Sequence, residues 1–442
     1  MLRELRLLRL LRSTPERGQH SLMEDDRVEV LTNINGQQWP VSIPCGTTLD
    51  HVRIELLNMG AEYVWLDVLC LRQKGADADE PTRKEEWKID VPTLGYVYRG
   101  SPWSRPCIIY FNGLGLPLDT SPQLLESDRH WFNRVWTLQE SLKEWLPGGL
   151  TGGPLPSSLD FFSRLHGLVF SMSTAARPEL VQELTRRHCT KELDKVSGLA
   201  YLLECPTLPL YDESLSVESA WTLLLKHMSE MALISTFLEY AVDTPFGLCI
   251  SWSGFLHAQP ISVLPSLPWR VLYYLLNSRG LQVTDQERFA SGERIIVGPC
   301  TVQGPHGDVV DRIQFVGPLD ITVRLDTERD SISFRPAGIH GIFLRDISYF
   351  LVSVGTMREW VAIEVAEERG GEEPEVDVIK WGVFGVSGDD GKAIECLSAG
   401  RKRATVTYLG GEEALRRSVH TERYMEAFTE MQARGETLSF GE

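Results

Sequence analysis

Apolar and polar positions change period three times along the chain, and each change predicts a different kind of element. From Arg27 to Pro44, RVEVLTNINGQQWPVSIP alternates around Asn35-Gly36, which predicts a short β-hairpin because both turn residues accept positive φ at low cost. Thr48 to Asn58 follows with Leu49, Val52 and Leu56 at helical spacing, Thr48 as cap and Gly60 as stop. Two apolar runs without alternation come next, AEYVWLDVLCLRQ (Ala61 to Gln73) and RPCIIYFNGLG (Arg105 to Gly115). Such runs read as parallel strands buried on both faces. Between them lies a polar loop, Lys74 to Glu80, and a helix from about Glu85 to Arg99, interrupted or restarted at Pro92. An aromatic helix from Trp131 to Trp145 closes a β-α-β-α series, the mark of an α/β layer fold.

LPGGLTGGPLPSS (Leu146 to Ser158) reads as a linker. Beyond it Val217, Ala220, Trp221, Leu224, Leu225 and Met228 form a helical stripe opened by Ser216. From Arg294 to Leu409 the runs IIVGPCTVQG, RIQFVG, ITVRLD, SISFRP and ATVTYLG are short and β-rich, which predicts an antiparallel module. Glu364 to Asp377 reads as an acidic solvated loop within it, and Glu412 to Arg434 as a surface helix. The expected organisation is an extension over 1–20, an α/β domain over 21–146, a helical region over 159–280, a β-rich module over 290–410 and a tail over 411–442.

The extension is MLRELRLLRLLR, with Arg3, Arg6, Arg9 and Arg12 set among leucines. It reads either as a presequence or basic surface helix, or as a weakly specified segment; Glu4 and the acidic Glu24, Asp25 and Asp26 favour the second. At 442 residues the chain exceeds one ordinary core. Its net charge of −17 argues against nucleic acid as a partner. No run approaches the roughly 18 apolar residues of a membrane span. The eight cysteines are scattered without CxxC or Cys/His spacing, which fits a reducing compartment and no metal site. P-loop, GxGxxG, HExxH and GxSxG motifs are absent from the sequence. His188 and Cys189 adjoin, and read as a satisfied pair rather than a catalytic dyad.

Two acids could carry chemistry. Asp67 sits inside an apolar strand, where a carboxylate needs donors or an open strand end. It either caps the next loop or pairs with Arg72 or Arg134, or else it contacts a ligand at the sheet edge. On a helix, Phe132, Val135, Trp136 and Gln139 would share a stripe with Glu140 at its margin. There Glu140 either pairs with Arg134 or Lys143, or faces a cleft, where it would suit stabilising the cationic centre of a glycosidic cleavage. Trp131, Phe132 and Trp136 read as core before they read as stacking platforms.

Three segments then carry a resemblance. EYVWLDVLCLRQ supplies Trp65, Leu66, Asp67, Cys70 and Gln73; the helix before Gly100 ends in Val97 and Tyr98; and WFNRVWTLQE supplies Arg134, Trp136, Thr137, Leu138, Gln139 and Glu140. In this order they resemble the fungal heterokaryon-incompatibility (HET) domain, over Met23 to Trp145. ELDKVSGLAYLL (Glu192 to Leu203) is similar to the segment that trails that domain. The resemblance implies a TIR/flavodoxin-like parallel sheet, cytoplasmic non-self recognition and regulated cell death. It also implies NAD as a candidate substrate, with no bound cofactor. Trp136 to Glu140 matches the W-C-x-x-E spacing of TIR enzymes, so Glu140 would assist cleavage of the nicotinamide–ribose bond, with Asp67, Arg134 and Trp136 around the nucleotide. The alternatives are a non-catalytic module that self-associates or binds other incompatibility proteins, and a degenerate inactive member. The first strand usual in the family, ending in S-H-x-W, is not legible: only His20 and Ser21 survive, and the Arg/Leu repeat stands in its place. Arg72 stands where asparagine is common.

Overall fold

The computed structural model describes residues 7–12, 27–61, 63–74, 80–99, 107–111, 113–119, 133–139, 145–150, 163, 177–203, 205–239, 244–257, 282–285, 288–303, 322–326, 331–336, 338–344, 346–354, 356–371, 374–398 and 403–433. The chain divides into two units, Met1–His227 and Met228–Glu442.

In the first unit, strands β1 (Leu7–Arg12), β4 (Tyr63–Leu66), β5 (Cys107–Tyr110) and β6 (Trp145–Pro147) form a four-stranded parallel sheet in the order β4-β1-β5-β6. The Arg/Leu repeat, expected as an extension, therefore supplies the strand between the two buried runs. Its Leu10 faces Leu66 on one side and Ile108 on the other, and Arg12 faces Tyr110. Arginine at every third position suggests a helix, but both neighbouring strands need a backbone partner, and that tertiary demand decides. Ile108 and Ile109 are fully buried, as a central parallel strand requires.

β2 (Arg27–Val30) and β3 (Val41–Pro44) pair as the expected hairpin. The left-handed pair in its loop is Gly36 and Gln37, one residue later than predicted, because the Asn35 side chain is spent on the Gln37 amide and the Trp39 carbonyl. α1 (Leu49–Asn58) is capped by Thr48, whose hydroxyl accepts from His51 N at 3.2 Å. The short α2 (Asp67–Cys70) follows β4 directly, and α3 (Glu80–Arg99) runs through Pro92 without a break.

Over the described residues 133–139 the aromatic helix expected over 131–145 does not form. Arg134 makes a parallel bridge with His188, Trp136–Leu138 is a single 3-10 turn, and Trp145–Pro147 is β6. Thr137 Oγ1 donates to the Arg134 carbonyl at 2.6 Å, a local bond that competes with helical pairing. Trp131, Phe132, Glu140 and Lys143 lie outside the described residues. The expected linker also fails at its start. Gly148 and Gly149 pack into the unit; at Gly149 (φ +80°) a Cβ would lie 2.2 Å from the Leu116 carbonyl oxygen.

α4 (Arg177–Arg186), α5 (Glu192–Leu202) and α6 (Val217–His227) complete the unit. α6 buries the predicted Ala220, Trp221, Leu224 and Leu225.

The second unit opens with α7 (Glu230–Glu239) and α8 (Trp252–His257), followed by β7 (Gln282–Asp285), β8 (Arg288–Gln303), β9 (Thr322–Asp326), β10 (Ser331–Phe334), β11 (Gly338–Gly341), β12 (Tyr349–Val354), β13 (Thr356–Arg369) and β14 (Glu375–Gly385). α9 (Gly388–Ser398), β15 (Arg403–Leu409), α10 (Gly411–Arg417) and α11 (Thr421–Ala433) end it. β8, β12, β13, β14 and β15 close into a ring. An odd number of strands cannot alternate all the way round. One neighbouring pair must be parallel, and it is β14–β15, joined by the helical crossover α9. The β-rich module is thus a closed barrel around Tyr349, Trp360, Trp381 and Phe384, not a purely antiparallel sheet. RIQFVG lies outside the described residues.

The acidic stretch 364–377 is not a solvated loop. It is the β13–β14 hairpin, and its two end carboxylates are buried. Glu364 accepts from Trp381 Nε1 (3.2 Å), Ser418 Oγ (2.7 Å) and the Val419 amide (2.9 Å). Asp377 pairs with Arg369 and Arg417. The expected surface helix 412–434 breaks at Ser418 into α10 and α11, and α11 buries Tyr424, Ala427 and Phe428.

Candidate functional site at the carboxyl edge of the parallel sheet

Numbered within the sheet, the strand order is 2-1-3-4, and ligands of doubly wound sheets sit beyond the carboxyl ends near the reversal of order. Here the reversal lies between β1 and β5. Asp67 is the first residue past β4, one position beyond the Leu10–Leu66 rung. It opens α2, with Oδ1 accepting from the Val68 amide at 2.8 Å. A strand running straight into a helix leaves an acid in the first turn, where the free backbone amides favour negative charge.

Arg72 forms two bonds to Glu86 (2.9 and 3.2 Å) and lies 5.2 Å over the Trp39 ring. Gln73 turns back to the Leu71 carbonyl at 2.8 Å. Trp65 is half-buried and Cys70 exposed. Tyr98 belongs to α3, and its side chain lies outside the described residues.

At the reversal stands a pair that the sequence reading missed. Tyr110, the last residue of β5, donates its hydroxyl to Glu55 Oε2 at 2.5 Å, and the Leu150 amide donates to Glu55 Oε1 at 2.8 Å. Glu55 is buried although it comes from the exposed-looking side of α1. Burial, reinforced by the Glu55 carboxylate, pushes the Tyr110 hydroxyl well above the usual tyrosine range. The only sequence signal was an acid next to Leu56 on an apolar stripe.

The second motif is assembled from afar. Arg187, buried, donates to Thr137 Oγ1 (2.5 Å) and the Arg134 carbonyl (3.1 Å), and its Nε reaches Glu183 (3.1 Å). The backbone bonds Val135 N to His188 O and His188 N to Asn133 O hold the same two segments. His188 is therefore placed by its backbone, and the burial that surrounds the neighbouring Cys189 thiol pushes it up to about 12. Trp136 is half-buried and meets the ring of Tyr211 edge-on at 6.0 Å. Tyr211 donates to the buried Asp194 of α5 at 2.8 Å. Leu138 is buried, and Gln139 is 2% exposed with neither amide atom hydrogen-bonded.

The first motif meets α3 directly, and the second reaches it through Tyr211. Trp87 Nε1 donates to the Arg72 carbonyl at 2.6 Å, and its ring lies 6.4 Å from Tyr211, which in turn meets Trp136. Arg83, fully buried, sits 4.4 Å over Trp87 and binds Glu80 and Glu213. That guanidinium holds the Glu80 carboxyl down at about 2. α5 closes the group, with its Tyr201 ring against Gly95 of α3 and Gly198 beside Gln139. The three segments quoted for the resemblance and the trailing one therefore form one packed cluster. The convergence of Asp67 with Glu140 concerns a residue outside the described set.

Among the described residues no group of three or more His, Cys, Asp or Glu side chains is placed to hold a metal ion, and no helix is long and apolar enough to cross a membrane. Comparison of the chain with models of protein families, with curated proteins and with solved structures gives no match in any of the three.

Proposed function

We propose that this chain is a HET-type protein of fungal non-self recognition and regulated cell death, acting in the cytoplasm, whose first unit is a TIR/flavodoxin-like layer that cleaves the nicotinamide–ribose bond of NAD. The observation that carries the reading is the parallel order β4-β1-β5-β6 with Asp67 at its carboxyl edge. In this reading Glu140 stabilises the positive charge that develops on the ribose, while Asp67, Arg134 and Trp136 border the nucleotide. NAD is the substrate, and the chemistry needs no bound cofactor. The test is nicotinamide release from NAD by purified protein, with Glu140→Ala as the comparison.

A second reading has its own support. Thr137 and the Arg134 carbonyl are engaged by Arg187, and Trp136 by Tyr211, so the described part of the motif serves internal packing. Such a cluster suits a non-catalytic module that signals by binding a second copy or another incompatibility protein. Cell death that survives Glu140→Ala but disappears in Trp136→Ala would favour this module.

A further inference from the structure

The hairpin of β2 and β3 forms a sheet of its own: among the described residues β3 is the only strand neighbour of β2, so β2 is an edge. A proline fixes which backbone groups that edge presents. In an antiparallel ladder, facing residues alternate between pairs that exchange both hydrogen bonds and pairs that exchange none. Arg27 faces Pro44, which has no N–H, so this pair cannot be of the bonded kind. The bonded pairs are therefore Val28–Ile43 and Val30–Val41, and the backbone N–H and C=O groups of Arg27 and Glu29 point away from β3. Outward-pointing groups on an edge are a template for a further strand. The side chains agree with this. Val28, Val30, Val41 and Ile43 share one face of the hairpin, and Val41 and Ile43 are buried in the core of the first unit, yet Val28 is 45% exposed at the edge. Glu29, on the opposite face, is exposed.

We propose that β2 is a self-association edge, where a second copy of the chain adds its own β2 antiparallel across a two-fold axis. Residues 27 and 29, which aim their backbone groups outward, allow three such registers. Facing Arg27 with Arg27, or Glu29 with Glu29, sets like charges against each other, which destabilises a strand pair. Facing Arg27 with Glu29 of the second copy sets opposite charges together twice. That register also brings the two Val28 side chains together on the axis, as a non-bonded pair with Cα atoms about 4.5 Å apart. The sequence Arg27-Val28-Glu29 is thus complementary to itself, which is why the occupant is another copy of this chain. The product is a four-stranded sheet with the exposed valines on its apolar face, where a two-stranded ribbon alone is marginal. The inference deepens the reading in which the chain signals by binding a second copy, and rests on that reading for its consequence in the cell.

The test is sedimentation equilibrium of the full chain, for wild type, Glu29→Arg, Glu29→Pro and the exchanged double variant Arg27→Glu/Glu29→Arg. Wild type is expected to dimerise with a Kd on the order of 100 µM or tighter, as suits a short edge. Glu29→Arg sets like charges across both pairs and should raise Kd by about tenfold or more. Glu29→Pro removes an outward N–H and no bond of the hairpin, and should weaken the dimer at least as much. The exchange restores opposite charges in this register alone, and should bring Kd back to within about threefold of wild type. A dimer indifferent to Glu29→Arg and Glu29→Pro, or one that the exchange does not restore, would overturn the edge and leave self-association to another face. A wild type that stays monomeric up to about 1 mM would remove both the edge and the reading in which the chain binds a second copy.

Discussion

The packing of α3 on α5 can be tested by adding one methyl group at each of two glycines. At Gly95 a Cβ would lie 2.4, 2.6 and 2.7 Å from Cγ, Cδ2 and Cδ1 of Tyr201. Those atoms are the root of the ring, and they cannot swing aside as a flexible tip would. Tyr201 is 8% exposed and is held edge-on by Tyr96 at 4.9 Å and 90°. Gly95→Ala gains about 1 kcal/mol of helix propensity. Overpacking costs about 1–3 kcal/mol, and a contact a full ångström too short belongs at the upper end of that range. The net expectation is about 1–2 kcal/mol of destabilisation. Gly198→Ala makes the same chemical change on the partner helix α5, one turn before Tyr201. Its Cβ meets nothing closer than Gln139 Nε2 at 3.5 Å, an ordinary contact. Only the propensity term remains, so this variant should be more stable by up to about 1 kcal/mol. Urea unfolding of the full chain, followed by tryptophan fluorescence, separates the two signs. Gly95→Ala at or above wild-type stability would refute the close approach of the helices.

Two further expectations concern buried polar groups. Lys380 of β14 donates to the carbonyls of Phe237 (2.6 Å) and Leu248 (3.2 Å) and lies 3.9 Å over the Phe237 ring; burial pulls its ammonium down to about 8, and the neighbouring Cys249 opposes this weakly. The folded protein therefore releases this proton before the unfolded chain does, and the cost of the buried charge, fully present below pH 8, is relieved as pH rises towards the ordinary lysine value. Wild type should gain about 2 kcal/mol relative to Lys380→Met between pH 8 and 9.5, measured by denaturation at each pH, and parallel curves would count against it. Tyr110→Phe removes the donor to the buried Glu55 carboxylate, and should cost about 2–3 kcal/mol in thermal unfolding; a loss below about 0.5 kcal/mol would mean that the pair does not tie α1 to β5.

What was legible in the sequence was local. The Thr48 cap, the α6 stripe and the two buried runs around Asp67 and Ile108 declare themselves within a few residues, because cap chemistry and burial on both faces act at short range. What failed depended on distant partners. β1 is a strand because β4 and β5 flank it, which no reading of arginine spacing reveals. The Trp136–Leu138 turn is held by Arg187 and His188, so its helical stripe was an accident of spacing. The acids 364–377 looked solvated because Arg417 and Ser418, which help to satisfy the two end carboxylates, lie far on in the chain. The place of Asp67 at the end of its strand was legible, whereas the buried groups Glu55, Tyr110 and Arg187 were missed. A buried carboxylate or guanidinium leaves no local trace when its partner is fifty or more residues away.

The central claim is that the carboxyl edge of the parallel sheet is an NAD-cleaving site. Its most direct test is the rate of nicotinamide release by the full chain, by Glu140→Ala and by Asp67→Asn, over a range of NAD concentrations. The account predicts release by wild type, a loss in kcat of on the order of a hundredfold or more in Glu140→Ala, and a rise in KM in Asp67→Asn. Equal rates in all three proteins, or no release by wild type, would contradict it.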